Sequence, residues 1–269
     1  MKLLLTADLH FRTDWFRWLM EQAPRYDLVC IAGDLLDMFN VESPKGQARE
    51  VSMLIRELAD IVPVAICSGN HDNAGGLVSH DRASLYRWFI ELGAHPKVVT
   101  DGTTRKLENI ILTTIPYHCS KKEKSIWLDR GLTIRRQTGI PWMVLHDVPP
   151  NSGPGVSGEK SEASDLLLTY RPDYFVCGHD HEFPYVSGQS WRQNIGEVCV
   201  LVPGQLLGAP YPNYIVLNTL SGESSWHTDR ETGMPEDERL DHLLLSSRES
   251  EEHRSVPFEN CLKRAKHRS

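Results

Sequence analysis

Five short stretches of this chain carry the residue types of metal and hydrolytic chemistry, and each follows an apolar run. They are "ADLH" with Asp8 and His10, "GDLLD" with Asp34 and Asp37, "GNHD" with Asn70, His71 and Asp72, "LHD" with His146 and Asp147, and "GHDH" with His179, Asp180 and His181. A buried strand does not usually end in a row of ionisable side chains unless something binds them. Carboxylate oxygens, imidazole nitrogens and an amide oxygen, with no thiolate, favour a hard or borderline divalent ion such as Mn²⁺, Fe²⁺ or Zn²⁺. The donors outnumber what one catalytic ion with open positions takes, and they suit two ions about 3.5–4 Å apart. A carboxylate can bridge such a pair, because its two oxygens can bind different ions.

Taken singly, each residue has a plainer explanation. Asp34 after Gly33 suits an ordinary turn, Asn70 tolerates left-handed backbone, and His10 suits a solvated surface. Five of the twelve histidines fall inside these blocks, however, which argues against coincidence.

The elements that must position them alternate. "KLLLTA", "DLVCIAG" and "VPVAICSG" read as strands, and "DWFRWLMEQA", "GQAREVSMLIRELADI" and "RASLYRWFIELG" as amphipathic helices, the last closed by Gly93 as a C-cap. The alternation predicts a largely parallel α/β sheet covered by helices. "NIILTTIP", a helix over "KKEKSIWLDRGLTIRRQ", the strand "PWMVLHD" and a short helix near Ala163–Thr169 lead to "DYFVCGHDH". The strand-like "YVSGQSWRQN", "VCVLVPG" and "NYIVLNTL" that follow suggest a β-meander. In an open α/β sheet, ligands bind outside the carboxyl ends of the strands, where all five blocks fall.

The 269 residues suit one large domain or two small ones, with 40% hydrophobic and 24% charged residues. A net charge of −7 does not favour a broad grip on nucleic acid. The apolar runs are too short to span a membrane, and the N-terminal "MKLLLTADLH" reads as a strand rather than a signal peptide. The six cysteines form no CxxC pair, and four sit in strand-like runs, as reduced core cysteines of a cytoplasmic protein do. Residues 1–228 are expected to form the catalytic domain. Residues 229–269 are expected to form a polar tail, with a possible helix at "EDERLDHLLL".

The ordered set D-x-H, G-D-x-x-D, G-N-H-D, His and G-H-x-H resembles the calcineurin-like metallophosphoesterase family, and the resemblance covers about residues 1–220. It implies a four-layer α/β/β/α sandwich of two mixed sheets flanked by helices. It implies Asp8, His10 and His181 on a first metal, Asn70, His146 and His179 on a second, and Asp34 bridging, with Mn²⁺ the leading ion. A hydroxide held between the ions would attack phosphorus. His71, protonated and oriented by Asp37, would give a proton to the leaving oxygen.

Asp72, Asp147 and Asp180 adjoin these residues and are expected to orient imidazoles. Arg12 could bind a substrate phosphate or sit as a surface arginine, and His118 could line the cleft or pack in a loop. The turn Pro203-Gly204-Gln205 could border the cleft. Specificity is expected from loops 73–81, 117–126 and 149–163. The expected activity is phosphoester hydrolysis, with a small-molecule or nucleotide phosphodiester as substrate and no membrane partner. The alternatives are a nuclease of the same family and a non-catalytic protein-binding scaffold, which retention of the ligands and His71 disfavours.

Overall fold

The first two strands are apolar on both faces, so they need cover on both sides. The computed structural model describes residues 1–74, 87–150, 158–181 and 190–229, with backbone alone for 158–161. In it β1 (Lys2–Ala7), β2 (Leu28–Ala32), β3 (Val64–Cys67) and β4 (Val98–Val99) run parallel, and every residue of β2 is buried. Between them in the chain lie α1 (Thr13–Gln22), α2 (Pro44–Ile61) and α3 (Arg87–Leu92). Leu4, Val29, Ile31 and Ile66 pack outward against Trp15, Phe16, Val51, Ile55, Leu58 and Phe89 of these helices. α2 starts where Ser43 Oγ accepts from the Gly46 N–H and Pro44 occupies the first turn.

The second sheet has the order β5-β6-β7-β8-β10-β9. It comprises β5 (Thr104–Lys106), β6 (Ile111–Ile115), β7 (Trp142–His146), β8 (Tyr174–Val176), β9 (Arg192–Ile195) and β10 (Val198–Leu201). Its outer face is covered by α4 (Lys121–Thr138) and α5 (Gly158–Tyr170), with Trp142, Val144 and Phe175 meeting Leu128 and Leu167. α4 opens on a capping box between Ser120 and Glu123 and ends at Gly139, whose φ of 67° is the left-handed cap.

The opposite parity faces the space between the sheets. Leu3, Leu5, Cys30 and Ala65 meet Met143, Leu145, Val176 and Leu201 there. The result is the expected four-layer sandwich of two mixed sheets flanked by helices.

Two expectations need correction. The C-terminal strands are two hairpins in different sheets, not one meander. β9 and β10 pair in the second sheet, whereas β11 (Tyr214–Asn218) pairs antiparallel with β1 and with β12 (Ser224–His227) in the first. The reason is burial: Ile215 and Leu217 of β11 fill the interior between the sheets. Gly93 does not take the left-handed C-cap conformation. It is needed instead for clearance, since a Cβ there would lie 2.6 Å from Thr100 Oγ1.

Residues Met1–Thr228 form one compact unit. The start of the helix expected at "RASLYRWFIELG", much of the strand expected at "YVSGQSWRQN", residues 75–81 of the first expected specificity loop and residues 151–157 of the third lie outside the described residues. So do the helix suggested at "EDERLDHLLL" and the tail beyond Asp229. No helix among the described residues is long and apolar enough to cross a membrane.

Candidate metal centre

The loops after β1, β2, β3, β7 and β8 are laced to one another at one edge of the sandwich. Asp8 N–H donates to Gly33 O (3.2 Å), His10 N–H to Asp34 O (2.9 Å), Gly33 N–H to Cys67 O (3.2 Å) and Gly178 N–H to Asp147 O (3.0 Å). Among the described residues six non-glycine residues have positive φ, and five of them, Asp8, His10, Phe11, Asp34 and His179, lie in these loops. Such backbone costs of the order of 1–3 kcal/mol per residue and concentrates where side chains must be aimed. Here it breaks the strand alternation and turns neighbouring side chains towards one crevice. Gly69 permits a close approach, since a Cβ there would lie 2.1 Å from Asp34 Oδ1.

Donor atoms of Asp8, His10, Asp34 and His181 lie within 4.8 Å of one another. His10 Nε2 is 2.7 Å from His181 Nε2 and 3.9 Å from Asp34 Oδ2. Ligands held at about 2.1 Å from one ion are themselves about 3–4 Å apart, so this spacing fits a single divalent ion. Asp8 Oδ1 accepts from the His179 N–H at 2.8 Å, while its buried Oδ2 has no hydrogen-bond partner. An orphaned carboxylate oxygen facing two imidazoles is the chemistry of an ion site.

A second group joins Asp34, Asp147 and His179 within the same 4.8 Å limit, so Asp34 belongs to both groups. His179 Nδ1 lies 3.0 Å from Asn70 Oδ1 and 3.3 Å from Asp147 Oδ2. His146 belongs to neither group. Its Nδ1 lies 3.3 Å from the Ile115 carbonyl, the arrangement that fixes a tautomer and leaves Nε2 as the available donor.

Burial governs the protonation of these groups. It raises Asp8 well above the ordinary carboxylate range, helped by the charges of Asp147 and Asp34, and raises Asp34 to about 6. It lowers His10 to about 3, helped by His181 and His71, and His146 to about 3, helped by Lys124. His10 and His146 are therefore held as the neutral form that binds metal.

His71 stands beside the first group, its ring 4.6 Å from that of His10 and edge-on. The expected orienting bond from Asp37 is absent. His71 Nδ1 takes the Met38 N–H at 3.3 Å, and Asp37 Oδ1 accepts from the Phe39 N–H at 2.9 Å. Asp37 nevertheless lies within 4.8 Å of His71 and His10. Burial lowers the pKa of His71 against the opposing charge of Asp37, so in this state the expected protonated ring is disfavoured.

Arg12 is also reassigned. Its guanidinium binds both carboxylate oxygens of Asp14, at 3.0 and 2.7 Å, and the carbonyls of Leu207 and Ala209. It also lies over the Trp15 ring at 4.5 Å. These contacts make it a tie between α1 and the 207–209 loop rather than a free phosphate clamp. Asp72 orients no imidazole. Its buried carboxylate accepts the N–H groups of Leu35 (2.8 Å), Leu36 (2.9 Å) and Gly69 (2.7 Å), clamping two ligand-bearing loops together. The N–H of Asp180 closes the turn onto Gly178 O at 3.0 Å.

His118 is exposed and packs edge-on against Tyr117 at 4.6 Å. Tyr117, missed in the sequence, stacks on His179 at 5.9 Å. Its signal was its place just after β6 at the same sheet edge. Gln205 does border the site: its N–H donates to His181 O at 3.0 Å, and its Nε2 to Ala7 O at 2.6 Å.

Known proteins share this fold. Among solved structures, the TT1561 protein of Thermus thermophilus is similar over 84% of this chain and 98% of its own, at 14% identity and a TM-score of 0.62. A dimetal phosphatase from Danio rerio matches over 80% of this chain and 91% of its own, at 13% identity and a TM-score of 0.56. The purple acid phosphatase PPD1 from yellow lupin seeds matches over 84% of this chain but 52% of its own, at 12% identity and a TM-score of 0.52. At these identities the likeness speaks for the fold. No curated protein matches. The family model for calcineurin-like phosphoesterases matches residues 1–183, which contain all five ligand-bearing loops, and the chain belongs to that family.

Proposed function

We propose that this chain hydrolyses a phosphodiester at a dinuclear centre. Asp8, His10 and His181 would hold one ion, Asn70, His146 and His179 the other, and Asp34 would bridge. The observation that carries this reading is the membership of Asp34 in both donor groups. Two bound divalent ions would supply a nucleophilic water at neutral pH and neutralise charge on the phosphoryl oxygens. Mn²⁺ suits the mixed oxygen and nitrogen donors.

The remaining residues have separable tasks. His71 stands at the rim of the first group and would give a proton to the leaving oxygen. As an imidazolium it needs an acceptor for Nδ1–H, and the Asp37 carboxylate is the group in reach. The engagement of Arg12 elsewhere leaves the phosphate without that added cation, which favours a singly charged diester over a dianionic monoester. Residues 229–269 would be a tail outside the catalytic domain. Five cysteines among the described residues are free, which suits the cytoplasm.

The test is an activity panel on metal-analysed protein supplied with Mn²⁺. It compares a bis-aryl phosphodiester, an aryl monoester, cyclic nucleotides and DNA ends. Higher kcat/KM for a small diester than for the monoester or DNA ends is expected. Preference for the monoester or for DNA ends would replace the substrate class, and purification without stoichiometric metal or activity would favour a scaffold.

A further inference from the structure

Asp147 is a buried carboxylate that the expected ligand set leaves out. Along β7, Met143 and Leu145 face the space between the sheets, and Asp147 continues that parity. Trp142 and Val144 face the helices, the parity of His146. Asp147 is fully buried, and neither of its carboxylate oxygens has a hydrogen-bond partner. Its Oδ2 nevertheless lies 3.3 Å from His179 Nδ1, and that nitrogen lies 3.0 Å from Asn70 Oδ1. The approach to His179 is thus close without being a hydrogen bond, so Asp147 is not simply the acceptor that orients this imidazole.

The backbone makes room for this carboxylate. Gly33 has φ 83°, and a Cβ there would lie 1.9 Å from Asp147 Oδ1. A buried carboxylate with neither a hydrogen bond nor a cation is costly, and here Asp34 stands within 4.8 Å. A positive ion among Asp34, Asn70, Asp147 and His179 removes that cost.

We propose that Asp147 is a direct ligand of the second ion, supplying an anionic oxygen in addition to Asp34, Asn70, His146 and His179. The assignment rests on the dinuclear reading above. It gives the second position a carboxylate of its own, which makes that position oxygen-rich and favours Mn²⁺ over Zn²⁺ there.

The test uses the full chain stripped with chelator and titrated with Mn²⁺ by calorimetry and by electron paramagnetic resonance. Wild type is expected to bind two ions and to show an exchange-coupled pair. Asp147→Asn is expected to keep one ion at wild-type affinity and to hold the second more than about 100-fold more weakly, beyond the loss that removing an outer-shell partner of a ligand costs, with an isolated Mn²⁺ signal. Its melting temperature in chelator should be no lower than wild type, because neither oxygen of Asp147 has a hydrogen bond to lose.

Asp147→Cys provides a direct reading should the Asn variant not fold. Loaded with Co²⁺, it should show a thiolate-to-metal charge-transfer band that wild type lacks. Two ions bound at wild-type affinity by Asp147→Asn, or two Co²⁺ bound by Asp147→Cys without that band, would overturn the assignment alone. Failure of wild type to take a second ion would overturn the dinuclear reading and this assignment with it.

Discussion

The backbone N–H of His71 donates to Asp34 Oδ1 at 2.8 Å. The residue proposed to bridge the ions is thereby fixed to the residue proposed as proton donor, and neither can shift without the other. Asp34→Asn is expected to keep this bond, because an amide oxygen can accept it, and so to keep the fold. It removes the negative charge shared by the two donor groups. At least one metal equivalent should be lost, and kcat should fall by more than about 10²-fold, since bound metal supplies several kcal/mol of transition-state stabilisation. Elemental analysis alongside kinetics checks this; full metal content with near-normal turnover would refute the bridge.

Asp72 is expected to matter for stability. Its carboxylate takes three buried N–H groups, from Leu35, Leu36 and Gly69. In Asp72→Ala all three lose their acceptor, and a buried donor left unsatisfied costs about 1–3 kcal/mol. Urea unfolding of the metal-free protein should show a loss of about 3 kcal/mol or more. Asp72→Asn should lose less, because one oxygen remains. Unchanged stability in the Ala variant would show that water replaces the carboxylate.

Arg12→Ala separates a structural tie from a phosphate clamp. Removing its largely exposed bonds to Asp14 and Leu207 and its part-buried bond to Ala209 should cost about 1 kcal/mol of stability. KM for a diester should hardly move. A large rise in KM at unchanged melting temperature would return Arg12 to the substrate.

Deleting residues 230–269 should leave metal content and hydrolysis of a generic diester close to those of the full chain. A truncated protein that folds and binds metal but does not turn over would place part of the site in the tail.

The sheets and the ligand loops were legible in the sequence for one reason. Strands buried on both faces must be apolar, so polar donors just past them stand out, as Asp8 does after "KLLLTA". Parity at a strand end was not legible. His146 and Asp147 are adjacent polar residues, and the entry of Asp147 into the crevice depends on how β7 faces the first sheet and on the space that Gly33 leaves. The crossing of β11 to the first sheet was hidden likewise, because a short apolar strand does not state which edge it fills. The part played by Arg12 depended on partners almost 200 residues away, at Leu207 and Ala209. Local reading could not supply them.

His71→Gln tests the mechanism most directly. His71 Nδ1 faces the Met38 N–H at 3.3 Å, so in the neutral ring the proton is on Nε2. Serving as an acid requires a second proton on Nδ1, which must give up the Met38 contact and turn to Asp37. The Gln variant removes the acid while leaving the proposed ligands in place, so metal content should hardly change. General acid catalysis is worth about 10²–10⁴-fold in rate. The benefit depends on how badly the leaving oxygen needs a proton: an alkoxide leaves poorly, whereas a nitrophenolate leaves almost unaided. The loss in kcat should therefore be large for an alkyl ester and much smaller for a nitrophenyl ester, where chemistry limits both. Asp37→Asn should show the same selectivity more weakly, since it acts through the charge it places near His71. Equal losses on both leaving groups would assign His71 to phosphate binding, and loss of metal in the Gln variant would make it a ligand.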